Sequence, residues 1–154
     1  AHRRAQYPDL KLHLIGPLQS NKIKRAVALF DVIETVESAE QIDEIANQCT
    51  RQNRRISCLI QVNIGQEPQK SGVAIAQLPA LLTHAAQVNF PIAGLMAIPP
   101  QGAPAGLYFG LMNKLSRRYK LKALSIGMSG DYPTALAFNA TTIRIGTALF
   151  GERQ

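Results

Sequence analysis

The sequence predicts the α/β class, and within it an incomplete (β/α)8 barrel of the TIM type with about six βα units. Three observations predict it. Short runs rich in β-branched residues alternate with longer stretches of helical period, an alternation that a parallel sheet covered by helices satisfies. The connections are short, with no linker, low-complexity stretch or repeat of solenoid length. The informative glycines stand after the last two strands, whereas a dinucleotide-binding sheet carries GxGxxG after its first strand and an acidic residue further on for a ribose.

Taken in order, strands are expected over residues 12–16, 32–36, 56–64, 92–98, 123–126 and 142–145, where β-branched and other apolar residues dominate. Helices are expected between them, over about 19–29, 39–52, 75–87, 106–119 and 132–138. Ser38 followed by Gln41 has the spacing of an N-cap and capping box, which starts the second helix. Asp131 is placed to cap the helix that follows it. Asn139 stands before the last strand, at a position where a left-handed helix C-terminus suits Gly or Asn.

Composition limits the reading further. The chain has 154 residues with 46% hydrophobic and 18% charged, a balance that gives one domain over 1–154 with a real core and excludes disorder. No run approaches the roughly 18 apolar residues of a membrane span, and Ala1, His2, Arg3 and Arg4 lead into no apolar signal-type segment. Two cysteines, Cys49 and Cys58, form neither a disulfide framework nor a zinc-ligand spacing, which suits a reducing, cytoplasmic setting. The net charge of +7 is spread over Arg3/Arg4, Lys22/Lys24/Arg25, Arg51/Arg54/Arg55 and Arg117/Arg118/Lys120/Lys122. These segments have little aromatic interleaving and no nucleic-acid-binding signature, so they read as solvated faces. No metal-ligand spacing, P-loop, serine-protease or paired-carboxylate constellation is present, and no catalytic residue is assigned.

The chemistry lies in two turns, Ser125-Ile-Gly-Met-Ser-Gly-Asp131 and Arg144-Ile-Gly-Thr-Ala-Leu-Phe-Gly151. Barrels of this class often build a phosphate site from the loops after strands seven and eight. If these are those strands, the chain supplies strands three to eight. A phosphate has acceptor oxygens and no donors, so it asks for converging N–H and O–H groups. Gly146 leaves room for close backbone approach, Thr147 adds an N–H and a hydroxyl, and Ser129 adds a hydroxyl beside Gly130. Arg144 follows β-branched residues in its strand, where a charge is costly unless it has a task or a carboxylate partner.

Five ordered segments now carry a resemblance: His13-Leu-Ile-Gly16-Pro-Leu-Gln-Ser-Asn-Lys22, Gln61-Val-Asn-Ile64 with Lys70-Ser-Gly72, Gly94-Leu-Met-Ala-Ile98, Leu124-Ser-Ile-Gly-Met-Ser-Gly-Asp131, and Arg144-Ile-Gly-Thr-Ala-Leu-Phe-Gly-Glu-Arg153. The chain resembles the pyridoxal phosphate homeostasis proteins, single-domain relatives of the N-terminal barrel of alanine racemase. The resemblance implies a barrel that binds pyridoxal 5′-phosphate (PLP) and acts in vitamin B6 and amino-acid homeostasis without an established catalytic reaction. It implies cofactor contacts from Ser129, Arg144, Gly146, Thr147, Met128 and Asn63, with Arg144 against the pyridine nitrogen. A donor-only guanidinium would keep that nitrogen unprotonated and the ring a weak electron sink. The family's Schiff-base lysine lies on a first strand that has no counterpart here, since the chain opens just before the His13-Leu-Ile-Gly16 segment. The covalent lysine is thus absent from the chain, Lys22 and Lys70 are expected to stay solvated in polar turns, and a seam is expected where the first two strands would stand. PLP is the implied partner, with amino acids beyond it, no nucleic acid and no membrane, and a monomer for a full-length member. Two alternatives stay open: a PLP-dependent racemase or decarboxylase, which usually carries an added β-domain, and an anion-binding barrel module.

Overall fold

The computed structural model describes residues 6–151. Arg3, Arg4 and Arg153 of the sequence reading lie outside them. Six strands are present: β1 (His13–Leu14), β2 (Val32–Val36), β3 (Ser57–Gln61), β4 (Ile92–Met96), β5 (Ala123–Met128) and β6 (Thr142–Arg144). Between and after them lie α1 (Ile23–Leu29), α2 (Ala39–Arg51), α3 (Leu78–Gln87), α4 (Ala105–Arg118), α5 (Tyr132–Ala137) and the short α6 (Thr147–Phe150). Single 3₁₀ turns, Ser20–Lys22 and Ile75–Gln77, lead into α1 and α3.

The sheet is six-stranded, in the order β1-β2-β3-β4-β5-β6, and every pairing is parallel. Strand order never reverses, so the doubly wound alternative is excluded. The sheet is also curled. β2 and β5 are three strand spacings apart, about 14 Å in a flat sheet, yet the Ser125 hydroxyl lies 2.5 Å from the Glu34 carboxylate. Two short side chains meet that closely only when the sheet bends around them. Among the described residues no ladder joins β6 to β1, so the curl stops short of closure and the architecture is that of an incomplete (β/α)8 barrel.

Four strands are shorter than the sequence predicts, β6 by its last residue, Ile145. β1 keeps two residues of the expected 12–16, and β3 ends at Gln61, after which Val62 still donates to the Met96 carbonyl at 2.8 Å but bridges Val73. β4 ends at Met96, before Ile98 reaches the cavity described below. β5 instead runs on to Met128.

The core fills the layer between sheet and helices. Ile33 and Ile60 from the strands are fully buried with Ile42, Ile45, Leu78, Phe109 and Met112 from the helices. Burying each such side chain contributes about 1.5–3 kcal/mol. α2 begins as its sequence indicates: the Ser38 hydroxyl accepts from the Gln41 amide N–H at 3.3 Å. The Gln41 side chain accepts from Glu37 N–H at 2.8 Å and donates to the Leu18 carbonyl at 2.9 Å, which fastens α2 to the loop before α1. Asp131 corrects the sequence reading. Its carboxylate caps no helix but reaches back to accept from Met128 N–H at 2.6 Å, closing the turn after β5. Asn139 takes the left-handed conformation foreseen for it, with φ at 63°.

Candidate functional site

Parallel strands deliver their following turns to one edge of the sheet, and here that edge opens into a cavity of about 820 Å³. Ser129 arrives on the turn after β5, and Gly146 and Thr147 on the turn after β6. The two turns touch: the Ser129 Oγ accepts from Gly146 N–H at 3.2 Å and from Ala148 N–H at 3.3 Å. Two backbone donors therefore converge on a single acceptor oxygen at the cavity wall. A Cβ added at Gly130 or Gly146 would meet no atom within 4 Å. Protein packing does not require glycine at either place, and both residues line the cavity.

Arg144, the last residue of β6, forms the cavity's charged wall. Its Nη1 donates to the Ser125 carbonyl at 2.9 Å and to the Ser125 hydroxyl at 2.6 Å, and Nη2 donates to the Ala97 carbonyl at 2.9 Å. Of the five guanidinium N–H groups, these bonds use three. Burial lowers its pKa, opposed by the charges of Glu34 and then Asp131. The expected alternative of a direct carboxylate pair is not what holds it; two carbonyls and a hydroxyl do.

Five of the six residues expected to contact a cofactor line this one cavity: Met128, Ser129, Arg144, Gly146 and Thr147. Asn63 does not line it. Its amide donates to the Glu67 and Lys70 carbonyls and accepts from Glu67 N–H, so it braces the 63–70 loop. It lines a second cavity of about 340 Å³ that shares Ile15 and Ile98 with the first. Lys70 is not freely solvated but paired with Glu67 at 2.7 Å, whereas Lys22 is exposed. No lysine lines the larger cavity among the described residues.

Sequence reasoning missed Glu34. This carboxylate is 1% exposed, lines the cavity and accepts the Ser125 hydroxyl, while His13 Nδ1 lies 2.6 Å from its other oxygen. A signal existed: Glu34 is the one charged residue of β2, as Arg144 is of β6. Met96 is fully buried core, and His84 pairs with Asp43 between α3 and α2 at 2.7 Å. Burial raises the pKa of both Cys49 and Cys58, so neither thiol is activated. Among the described residues no metal-binding cluster occurs, and no helix is long and apolar enough to cross a membrane.

Comparison with known proteins agrees with this geometry. The family model of the alanine racemase N-terminal domain matches residues 1–154. The pyridoxal phosphate homeostasis protein of Synechocystis sp. is 38% identical over 162 residues, covering 97% of this chain and 73% of the relative. That of Aquifex aeolicus is 37% identical over 156 residues, covering 95% and 68%. Among solved structures, PipY of Synechococcus elongatus with PLP bound has a TM-score of 0.87 at 34% identity, over 97% of this chain and 74% of that one. An alanine racemase of Clostridium difficile, at 12% identity and a TM-score of 0.71, shares the fold. With a matching family model over its whole length and relatives above one-third identity, the chain belongs to the alanine racemase N-terminal domain family, among the pyridoxal phosphate homeostasis proteins.

Proposed function

We propose that the chain is a PLP-binding protein of vitamin B6 and amino-acid homeostasis, a non-catalytic carrier or regulator acting as one module over 1–154. The observation that carries this reading is the meeting of two glycine-bearing turns and a half-committed guanidinium on one cavity that no described lysine lines. The residues fit the cofactor. The amides of Gly146 and Ala148 already converge on an acceptor oxygen, the role a phosphate oxygen plays. Ser129 and Thr147 add hydroxyl donors, and the open sides of Gly130 and Gly146 admit the group. Arg144 has two N–H groups left for the ring nitrogen, and Met128, 38% exposed, supplies apolar surface for the ring. Asn63, on the adjoining cavity that shares Ile15 and Ile98 with this one, is the remaining contact of this reading.

When bound, PLP supplies an aldehyde reactive toward amines and a ring that accepts electrons. Arg144 donates and never accepts, so it keeps the ring nitrogen without a proton and restrains that acceptance. This favours holding over turnover. The PLP-bound PipY structure supports the reading by likeness. We place the protein in the cytoplasm, the full-length member as a monomer, with amino acids as partners beyond PLP.

The test is equilibrium titration with PLP, with and without inorganic phosphate, followed by borohydride reduction and peptide mapping. Saturable binding that phosphate weakens, with only scattered low-level lysine labelling, is expected. Absence of saturable binding would overturn the reading, and near-complete labelling of one lysine would overturn its non-covalent form.

A further inference from the structure

Behind the cavity wall a continuous set of hydrogen bonds runs from the first strand to the last. Glu34, in the middle of β2, places one carboxylate oxygen 2.6 Å from His13 Nδ1 on β1 and accepts the Ser125 hydroxyl of β5 with the other. Ser125 is fully buried. Its single hydroxyl proton is committed to Glu34, so toward Arg144 it has only lone pairs, and Nη1 donates to it at 2.6 Å. A buried carboxylate is costly unless each oxygen is satisfied, and here each has one partner. Nothing in the phosphate-type turns requires this arrangement. Its product is the orientation of Arg144.

We propose that Glu34 is a positioning residue for the cofactor cavity: by holding the Ser125 hydroxyl as an acceptor, it sets the plane of the Arg144 guanidinium and presents its two uncommitted N–H groups at the cavity wall. The ligand in this proposal rests on the PLP reading above; the relay itself does not. Without the carboxylate the Ser125 hydroxyl is free to rotate and its proton can face the guanidinium. Arg144 would then keep its two carbonyl acceptors and lose the contact that locks their plane. The neighbouring positive charge is also balanced by Glu34, which opposes the effect of burial on Arg144. His13, one-third exposed, closes the set on the cavity side.

Two measurements on the full chain test it, using Glu34→Ala and Glu34→Gln. The first needs no cofactor: the side-chain N–H resonances of Arg144 are expected to be distinct and slowly exchanging in the wild type. They should be averaged in Glu34→Ala and largely restored in Glu34→Gln, whose amide oxygen still accepts the Ser125 proton. The second compares affinities for PLP and inorganic phosphate. Glu34→Ala is expected to lower PLP affinity about tenfold with phosphate affinity unchanged, the loss of one charge-assisted contact, and Glu34→Gln to recover most of it. Unchanged Arg144 resonances in Glu34→Ala would overturn the proposal, as would an equal loss of PLP and phosphate binding. Should the alanine variant not fold, Ser125→Ala carries the same expectations without removing the charge. A wild type with no PLP affinity would overturn the cofactor reading, while the resonances alone would still decide the relay.

Discussion

Gly146 illustrates how a single residue separates stability from binding. A methyl group there meets no protein atom within 4 Å, so Gly146→Ala should change stability by less than about 1 kcal/mol. The same methyl group points into the space that a ligand phosphate needs, so PLP affinity should fall about tenfold or more. Paired thermal melts and PLP titrations check this, and a loss of stability without loss of affinity would contradict it. Cys58 gives a prediction in pH. Burial is the larger cause that raises its thiol above the ordinary 9.0, with Cys49 adding to it. An unfolded thiol ionises near 9.0 and the folded one does not. Stability is therefore whole below that pH and declines above it by up to about 1.4 kcal/mol per pH unit. Denaturant melts from pH 8 to 10 should show a shallower decline in Cys58→Ala than in the wild type. At this scale the glycine turns and Arg144 were legible in sequence, because turn chemistry and a charge in an apolar strand are local signals. The charge of Glu34 in β2 was such a signal too, but its role was not legible, since its partners His13 and Ser125 lie 21 and 91 residues away.

Between elements, close approach and buried volume decide the cost of change. β4 lies so near β5 that a Cβ on Gly94 would run into the Ala123 carbonyl. Backbone cannot yield as a flexible side chain does, so Gly94→Ala should cost about 3 kcal/mol and loosen the pairing of Gly94 with Ala123. Hydrogen exchange of the β4 and β5 amides measures it, and unchanged protection would refute it. Phe109 of α4 is fully buried, and Phe109→Ala should cost about 3–5 kcal/mol. The order and type of these elements followed from hydrophobic period. Their ends did not, because they are set by tertiary events. Val62 bridges Val73, and Gly72, at φ 113°, lies against the Asn63 backbone where the chain returns.

For the molecule as a whole, the open seam is the dominant feature. Among the described residues β1 pairs only with β2 and β6 only with β5, so two short edges offer unused backbone groups. A longer form carrying two further βα units on the amino side should melt several degrees higher, since it would cover those edges. Equal melting of the two forms would show that the seam costs nothing. The parallel sheet was legible from the βα alternation, and its barrel-type curl from the glycine turns after the last two strands together with the family resemblance, whereas the contact of Glu34 with Ser125 that fastens the curl was not. The contact that proves the curl also has a kinetic side. Glu34 and Ser125 are 91 residues apart, so their bond closes a loop containing β3 and β4, whose own pairings form between nearer neighbours and at lower entropic cost. The cavity should therefore be among the last parts of the molecule to assemble. Ser125→Ala should accelerate unfolding and leave the refolding rate nearly unchanged, a φ-value near zero that stopped-flow chevron analysis can read.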